Sequence, residues 1–188
     1  PTDKILLDVL YEDIHYNEVV SLPINSPLLK MHGVPVMVQS PSLKDMLGDK
    51  LTAFAPHTTG IPFFKGDDAF FMEIMKQLYD ISSIIDRLDD ISDVRKTYNQ
   101  LVPIELGYRK LNQLTVVDVL EDSYNSAMNI CHRGTLDRTE YGYYVEGARS
   151  VNKFIIPENY NADIAIRDAA KVAYLVRLIQ TGNDQVKH

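Results

Sequence analysis

The sequence predicts an α+β fold: a small mixed or antiparallel sheet followed by a helical bundle. Three observations carry this. Short apolar runs broken by turn residues fill the first 40 positions. From position 43 onward, apolar residues recur at three- and four-residue steps. The strand block and the helix block do not alternate, as in α+β folds.

The first predicted strand spans 4–11. Ile5, Leu6, Leu7, Val9 and Leu10 form its apolar core, interrupted only by Asp8. The second spans 17–22 and centres on Val19 and Val20. The third spans 34–39 and opens after Gly33. Asn17, Pro23, Asn25 and Pro27 supply the turns between them. Pro35 has no N–H to donate, which sets the start of the third strand at a sheet edge or leaves it unpaired.

Ser40, Pro41 and Ser42 read as a helix start. Leu43, Met46, Leu47, Lys50, Leu51 and Phe54 follow at helical spacing, and Pro56 ends the run. A second helix spans 71–88, with Phe71, Ile74, Met75, Leu78, Ile81, Ile84 and Ile85 on one face. A third runs from 90 to about 110, capped by Asp90 or Ser92. Three more span 115–132, 137–155 and 162–180. The apolar stripe of the last is wider than one narrow face, so it is expected inside the core. The polar tail 181–188 is expected to fray. The chain thus divides into 1–66, strands plus the first helix, and 67–188, the bundle.

Composition narrows the function classes. Charged residues are 24% and apolar residues 45% of the 188, which is ordinary for a globular chain and argues against disorder. The net charge of −7 does not support a basic surface spread over the whole fold for nucleic acid. A single cysteine, Cys131, excludes an internal disulfide and a multi-cysteine zinc site. No window approaches the ~20 apolar residues of a membrane span. A cytoplasmic protein with no membrane partner is expected.

The richest stretch is Asp49-Lys50-Leu51-Thr52-Ala53-Phe54-Ala55-Pro56-His57-Thr58-Thr59-Gly60-Ile61-Pro62-Phe63, with Lys76-Gln77-Leu78-Tyr79-Asp80-Ile81 after it. A lysine, small hydroxyls and a glycine brought together suit an anionic ligand. The pair of segments resembles the AbiEii/AbiGii toxin family of nucleotidyltransferases. Asp49-Lys50-Leu51-Thr52-Ala53 matches the family's first helix motif, and Leu78-Tyr79-Asp80-Ile81 matches the second. Many members carry Arg-Asp before Leu-Tyr-Asp, where this chain has Lys76-Gln77.

That resemblance implies transfer of a nucleotidyl group from an NTP to an acceptor with Mg²⁺. It implies Asp8 as a metal carboxylate, Lys50 as the phosphate-binding ammonium, and Asp80 as the group that orients Lys50. It further implies the toxin half of a toxin–antitoxin or phage-defence pair, an antitoxin protein as partner, and an RNA acceptor in some members. The family's Gly-Ser turn and Asp-x-Asp pair do not precede Asp8. The expectation is therefore the C-terminal part of a longer enzyme, inactive alone.

Each residue has a plainer alternative. Asp8 can face solvent from a half-exposed strand. Lys50 can snorkel at the edge of its helix face. Asp80, on the apolar side of its helix, needs a partner, and Lys50 and Lys76 are both in reach. Thr58 and Thr59 can offer hydroxyls to a phosphate or can build a tight turn. Lys76 is counted with the nucleotide-binding residues. Nothing in the sequence orients His57 as a base. The five histidines show no metal-ligand spacing. Tyr141, Tyr143 and Tyr144, near Arg138 and Arg149, suit packing better than base stacking. The last helix can also bury its stripe against a second copy of the chain, as a homodimer. The competing overall reading is a non-catalytic helical module that binds a protein or senses a nucleotide.

Overall fold

A computed structural model describes residues 9, 11, 13–25, 30, 32–155 and 159–187. Among them the α+β prediction holds: two small antiparallel sheets and six helices. Strands β1 (Val19–Pro23) and β2 (Met37–Pro41) pair antiparallel, with Val19 opposite Pro41 and Ser21 opposite Gln39. Of the predicted strand at 4–11, only Val9 and Tyr11 are described, and neither lies in a strand.

The helices are α1 (Leu43–Ala53), α2 (Phe71–Ile85), α3 (Ser92–Tyr108), α4 (Val116–Cys131), α5 (Arg138–Val151) and α6 (Ala162–Thr181). All six fall where the apolar spacing put them. Local chemistry sets their ends. The Ser42 hydroxyl accepts the Asp45 N–H at the start of α1, and Asp137 accepts the Glu140 N–H at the start of α5. Thr115 and Asp118 form a reciprocal capping box on α4. Asn161 caps α6, which ends on Gly182 in a left-handed conformation with φ of 69°. The cap of α3 differs from expectation only in detail. Ile91 occupies the cap position, while the Asp90 carboxylate accepts the Ser92 N–H and hydroxyl.

A short hairpin, β3 (Phe64–Lys65) and β4 (Asp68–Ala69), was not foreseen. Its signal was present in Gly66-Asp67, a two-residue turn whose glycine takes φ of 61°. Phe63 and Phe64 fold over Phe71 and Tyr143, whose rings stack 4.5 Å apart.

The core is continuous across the hairpin at 64–69. Leu47, Leu51 and Phe54 of the α1 segment join Ile74, Leu78, Val94, Tyr98, Val119, Leu175 and Val176 in one buried cluster. α1 packs on α3, α2 on α5 and α6, and α4 on α6. As predicted, α6 is a core element: Ala165, Ala169, Val172, Leu175, Val176 and Leu178 are buried. The tail behaves differently from expectation. It does not fray up to residue 187, because its backbone pairs with the α2–α3 turn. The Ile91 N–H donates to the Asp184 carbonyl, the Val186 N–H donates to Asp89, and Arg95 meets Asp184 at 2.7 Å.

One buried carboxylate ties the N-terminal segment to the bundle. Asp45 is 0% exposed. It accepts from the backbone N–H groups of Asn17 and Glu18, the Asn17 amide, and the hydroxyls of Ser42 and Thr97. Burial alone would push its pKa up. The hydrogen bonds from Ser42, Thr97, Asn17 and Glu18 outweigh it and hold the carboxylate below the usual range.

Candidate functional site

Lys50 lies in the last turn of α1, where a cation suits the negative end of the helix dipole. Asp80 lies in α2, which packs against α1. The Lys50 ammonium donates to Asp80 Oδ2 at 2.6 Å, with both side chains about a quarter exposed, at 24% and 28%. The two sequence segments therefore meet through their central charged residues. Beside them, burial pushes the Asp49 carboxyl up, against the hydrogen bond from Tyr16 and the charge of Lys50.

Lys76 is one turn before Asp80 on α2, exposed, and without an ion-pair partner among the described residues. Together with Asp80 it lines a cleft of about 240 Å³, whose other walls are Met72, Tyr79, Val151, Phe154 and Ile155.

The loop after α1 is bonded within the fold. The Thr59 hydroxyl is buried and donates to the Thr52 carbonyl at 2.7 Å. The Thr58 hydroxyl donates to Asp122 Oδ2 at 2.7 Å. The N–H groups of Thr58 and Gly60 both donate to the Ala55 carbonyl. Gly60 is required there, since a Cβ would stand 2.3 Å from the Ala55 nitrogen. The turn reading thus accounts for both threonine hydroxyls. Asp8 lies outside the described residues.

His57 is the residue that sequence reasoning underrated. Its Nδ1 is 2.8 Å from Asp122 Oδ1 and its Nε2 is 2.7 Å from Glu140 Oε1. Its backbone N–H also donates to Asp122 Oδ2. The hydrogen bond to Asp122 leads in raising the imidazole pKa to about 9, with Glu140 adding to it against the cost of burial. At neutral pH the ring is an imidazolium donating from both nitrogens. It is a clamp between the α1 loop, α4 and α5, and it has no free nitrogen to act as a base. Asp122 and Glu140 are 65 and 83 positions away, so no local signal links them to His57.

Tyr144 is buried and the half-buried Tyr143 stacks on Phe71, as expected for packing residues. Tyr141 instead borders a groove of about 630 Å³ with Arg133, Arg138 and Arg149. Arg133 pairs with Asp163 at 2.7 Å. Among the described residues, no three His, Cys, Asp or Glu side chains converge to hold a metal, and no helix is long and apolar enough to cross a membrane. Comparison of the chain with models of protein families, with curated proteins and with solved structures finds no match.

Proposed function

We propose that this chain binds the phosphates of a nucleoside triphosphate through Lys50, as part of a nucleotidyltransferase of the AbiEii/AbiGii kind. The observation that carries the reading is the 2.6 Å contact between Lys50 and Asp80, which joins the two segments on which the resemblance rests. An isolated snorkelling lysine needs no such partner. A phosphate-binding lysine gains from one, because a fixed ammonium loses less freedom when the ligand arrives.

In the transfer, an acceptor hydroxyl attacks the α-phosphorus. A new P–O bond forms, the bond from the α-phosphorus to the bridging oxygen of the β-phosphate breaks, pyrophosphate leaves, and the hydroxyl proton passes to solvent water. Negative charge builds on the phosphate oxygens, and a positioned ammonium stabilises it. Mg²⁺ would neutralise further charge on the phosphates. Asp8, the carboxylate assigned to it, is outside the described residues, and those described do not form a metal site by themselves. An RNA acceptor in this reading has a basic surface to meet in the groove of Arg133, Arg138 and Arg149.

The test is calorimetric titration of the chain with each of the four NTPs, for wild type and for Lys50→Ala. Binding weakened by ~10-fold or more at an unchanged melting temperature is expected, in line with loss of a charge-assisted contact. No binding by wild type, or equal binding by the variant, overturns the reading.

A further inference from the structure

We infer that the cleft between α2 and the C-terminal end of α5 is the nucleobase subsite, with the phosphates of the same nucleotide lying at its Lys76–Asp80–Lys50 end. The inference rests on the phosphate-binding role proposed for Lys50. It adds where the base lies and which residues grip it.

Size is the first argument. Pockets that bury a whole drug-sized ligand run to roughly 300–1,000 Å³. This cleft is about 240 Å³ and suits one ring system, with the rest of the ligand outside.

Chemistry is the second. The walls are Met72, Val151 and Ile155 with the rings of Tyr79 and Phe154, which suit the flat faces of a base. Phe154, three residues beyond the end of α5, is 72% exposed, a large ring in water with no ring partner among the described residues. Tyr79 is better fixed, edge-on to Tyr160 at 5.6 Å. Covering Phe154 with a base would remove apolar surface from water on both sides.

Polarity is the third. The charged groups lie on one wall only, that of α2. Lys76 and Asp80 belong to the lining, and Asp80 holds Lys50 at 2.6 Å. The otherwise apolar slot thus carries the Lys76 ammonium and a carboxylate that already holds a second ammonium, that of Lys50. A ligand that is flat and apolar at one end and anionic at the other matches that asymmetry. A purely anionic ligand leaves the slot unused, and a purely apolar one leaves Lys76 without a counter-charge.

The experiment compares an NTP with inorganic tripolyphosphate, which has the charge and lacks the nucleoside. Wild type, Phe154→Ala and Lys76→Ala are titrated with each. Phe154 is largely exposed, so its loss should leave the melting temperature unchanged. Wild type is expected to bind its preferred NTP at least ~10-fold more tightly than tripolyphosphate. Phe154→Ala should erase most of that difference and leave tripolyphosphate affinity unaltered. Lys76→Ala should weaken both ligands. An NTP bound no more tightly than tripolyphosphate, or undiminished in Phe154→Ala, overturns the subsite while leaving the role of Lys50 intact. Should neither ligand bind wild type, the Lys50 reading fails on its own. The four free nucleosides then test the cleft through methyl NMR shifts of Met72, Val151 and Ile155. Shifts confined to those methyls uphold the base subsite, and their absence rejects it.

Discussion

The imidazole of His57 lies 2.8 Å from the Asp122 carboxylate, and that carboxylate also accepts the His57 N–H and the Thr58 hydroxyl. One buried acid on α4 therefore holds the His57-Thr58 part of the loop that follows α1. Glu140 of α5 closes the clamp on the other ring nitrogen. The side chains of His57, Thr58 and Thr59 are in this way bonded within the fold, whereas Lys76 is exposed and Lys50 and Asp80 are about a quarter exposed.

The clamp makes stability depend on pH. The folded pKa of His57, about 9, lies above the ordinary value of about 6.5. Its contribution is fully present below the unfolded value and is lost as pH rises through the folded one. With the ring about half exposed, the effect discounts to about 1–2 kcal/mol. Thermal melts of wild type and His57→Gln should differ most near pH 6 and converge by pH 10. A gap that stays constant over that range would mean the imidazole is not charged in the fold.

Asp45 should be among the least replaceable polar residues. Asp45→Ala strands the hydroxyls of Ser42 and Thr97 and the N–H groups of Asn17 and Glu18. A loss of about 3–5 kcal/mol is expected, the usual cost of breaking a buried charged network. Urea denaturation measures it. Asp45→Asn keeps one acceptor oxygen and should lose less. A loss below about 1 kcal/mol in the alanine variant would show that the contacts of Asn17 and Glu18 are dispensable.

Two glycines on α5 should respond in opposite directions. At Gly147 a Cβ would stand 2.2 Å from the Phe71 carbonyl oxygen and 2.8 Å from Met75 Cγ, so Gly147→Ala must push α5 off α2. About 2–3 kcal/mol of destabilisation is expected. At Gly142 a Cβ meets nothing within 4 Å, and Gly142→Ala should gain up to about 1 kcal/mol of helix propensity. The difference in melting temperature between the variants checks the closeness of the two helices.

Removing α6 should destroy the fold. Val172, Leu175, Val176, Leu178 and Ile179 are all buried. Each is worth about 1.5–3 kcal/mol when fully buried, and the sum rivals the roughly 5–15 kcal/mol that stabilises a whole domain. A chain ending at Asn161 should be aggregated or molten by near-UV circular dichroism and light scattering. A soluble, monomeric and cooperatively melting product would make α6 a detachable segment.

Much of this architecture was local information. Apolar residues at helical steps placed all six helices, and Ser42 marked the start of the first because a cap acts within three residues of itself. That Asp80 needs a counter-charge was legible because it sits beside apolar positions on its helix, but the choice of Lys50 over Lys76 came from the packing of α1 on α2. What the sequence could not decide were the contacts that close over long separations. Nothing in the loop foretold that Asp122 and Glu140 would take both nitrogens of His57. Nothing in the tail foretold that residues 184–186 would lie along Asp89 and Ile91. The cleft of Tyr79 and Phe154 likewise joins residues of α2 to residues at and beyond the end of α5, more than 70 positions apart. Capping and periodicity are properties of neighbours in the chain, whereas a clamp or a cleft is a property of which helices pack together, and only the assembled core chooses those.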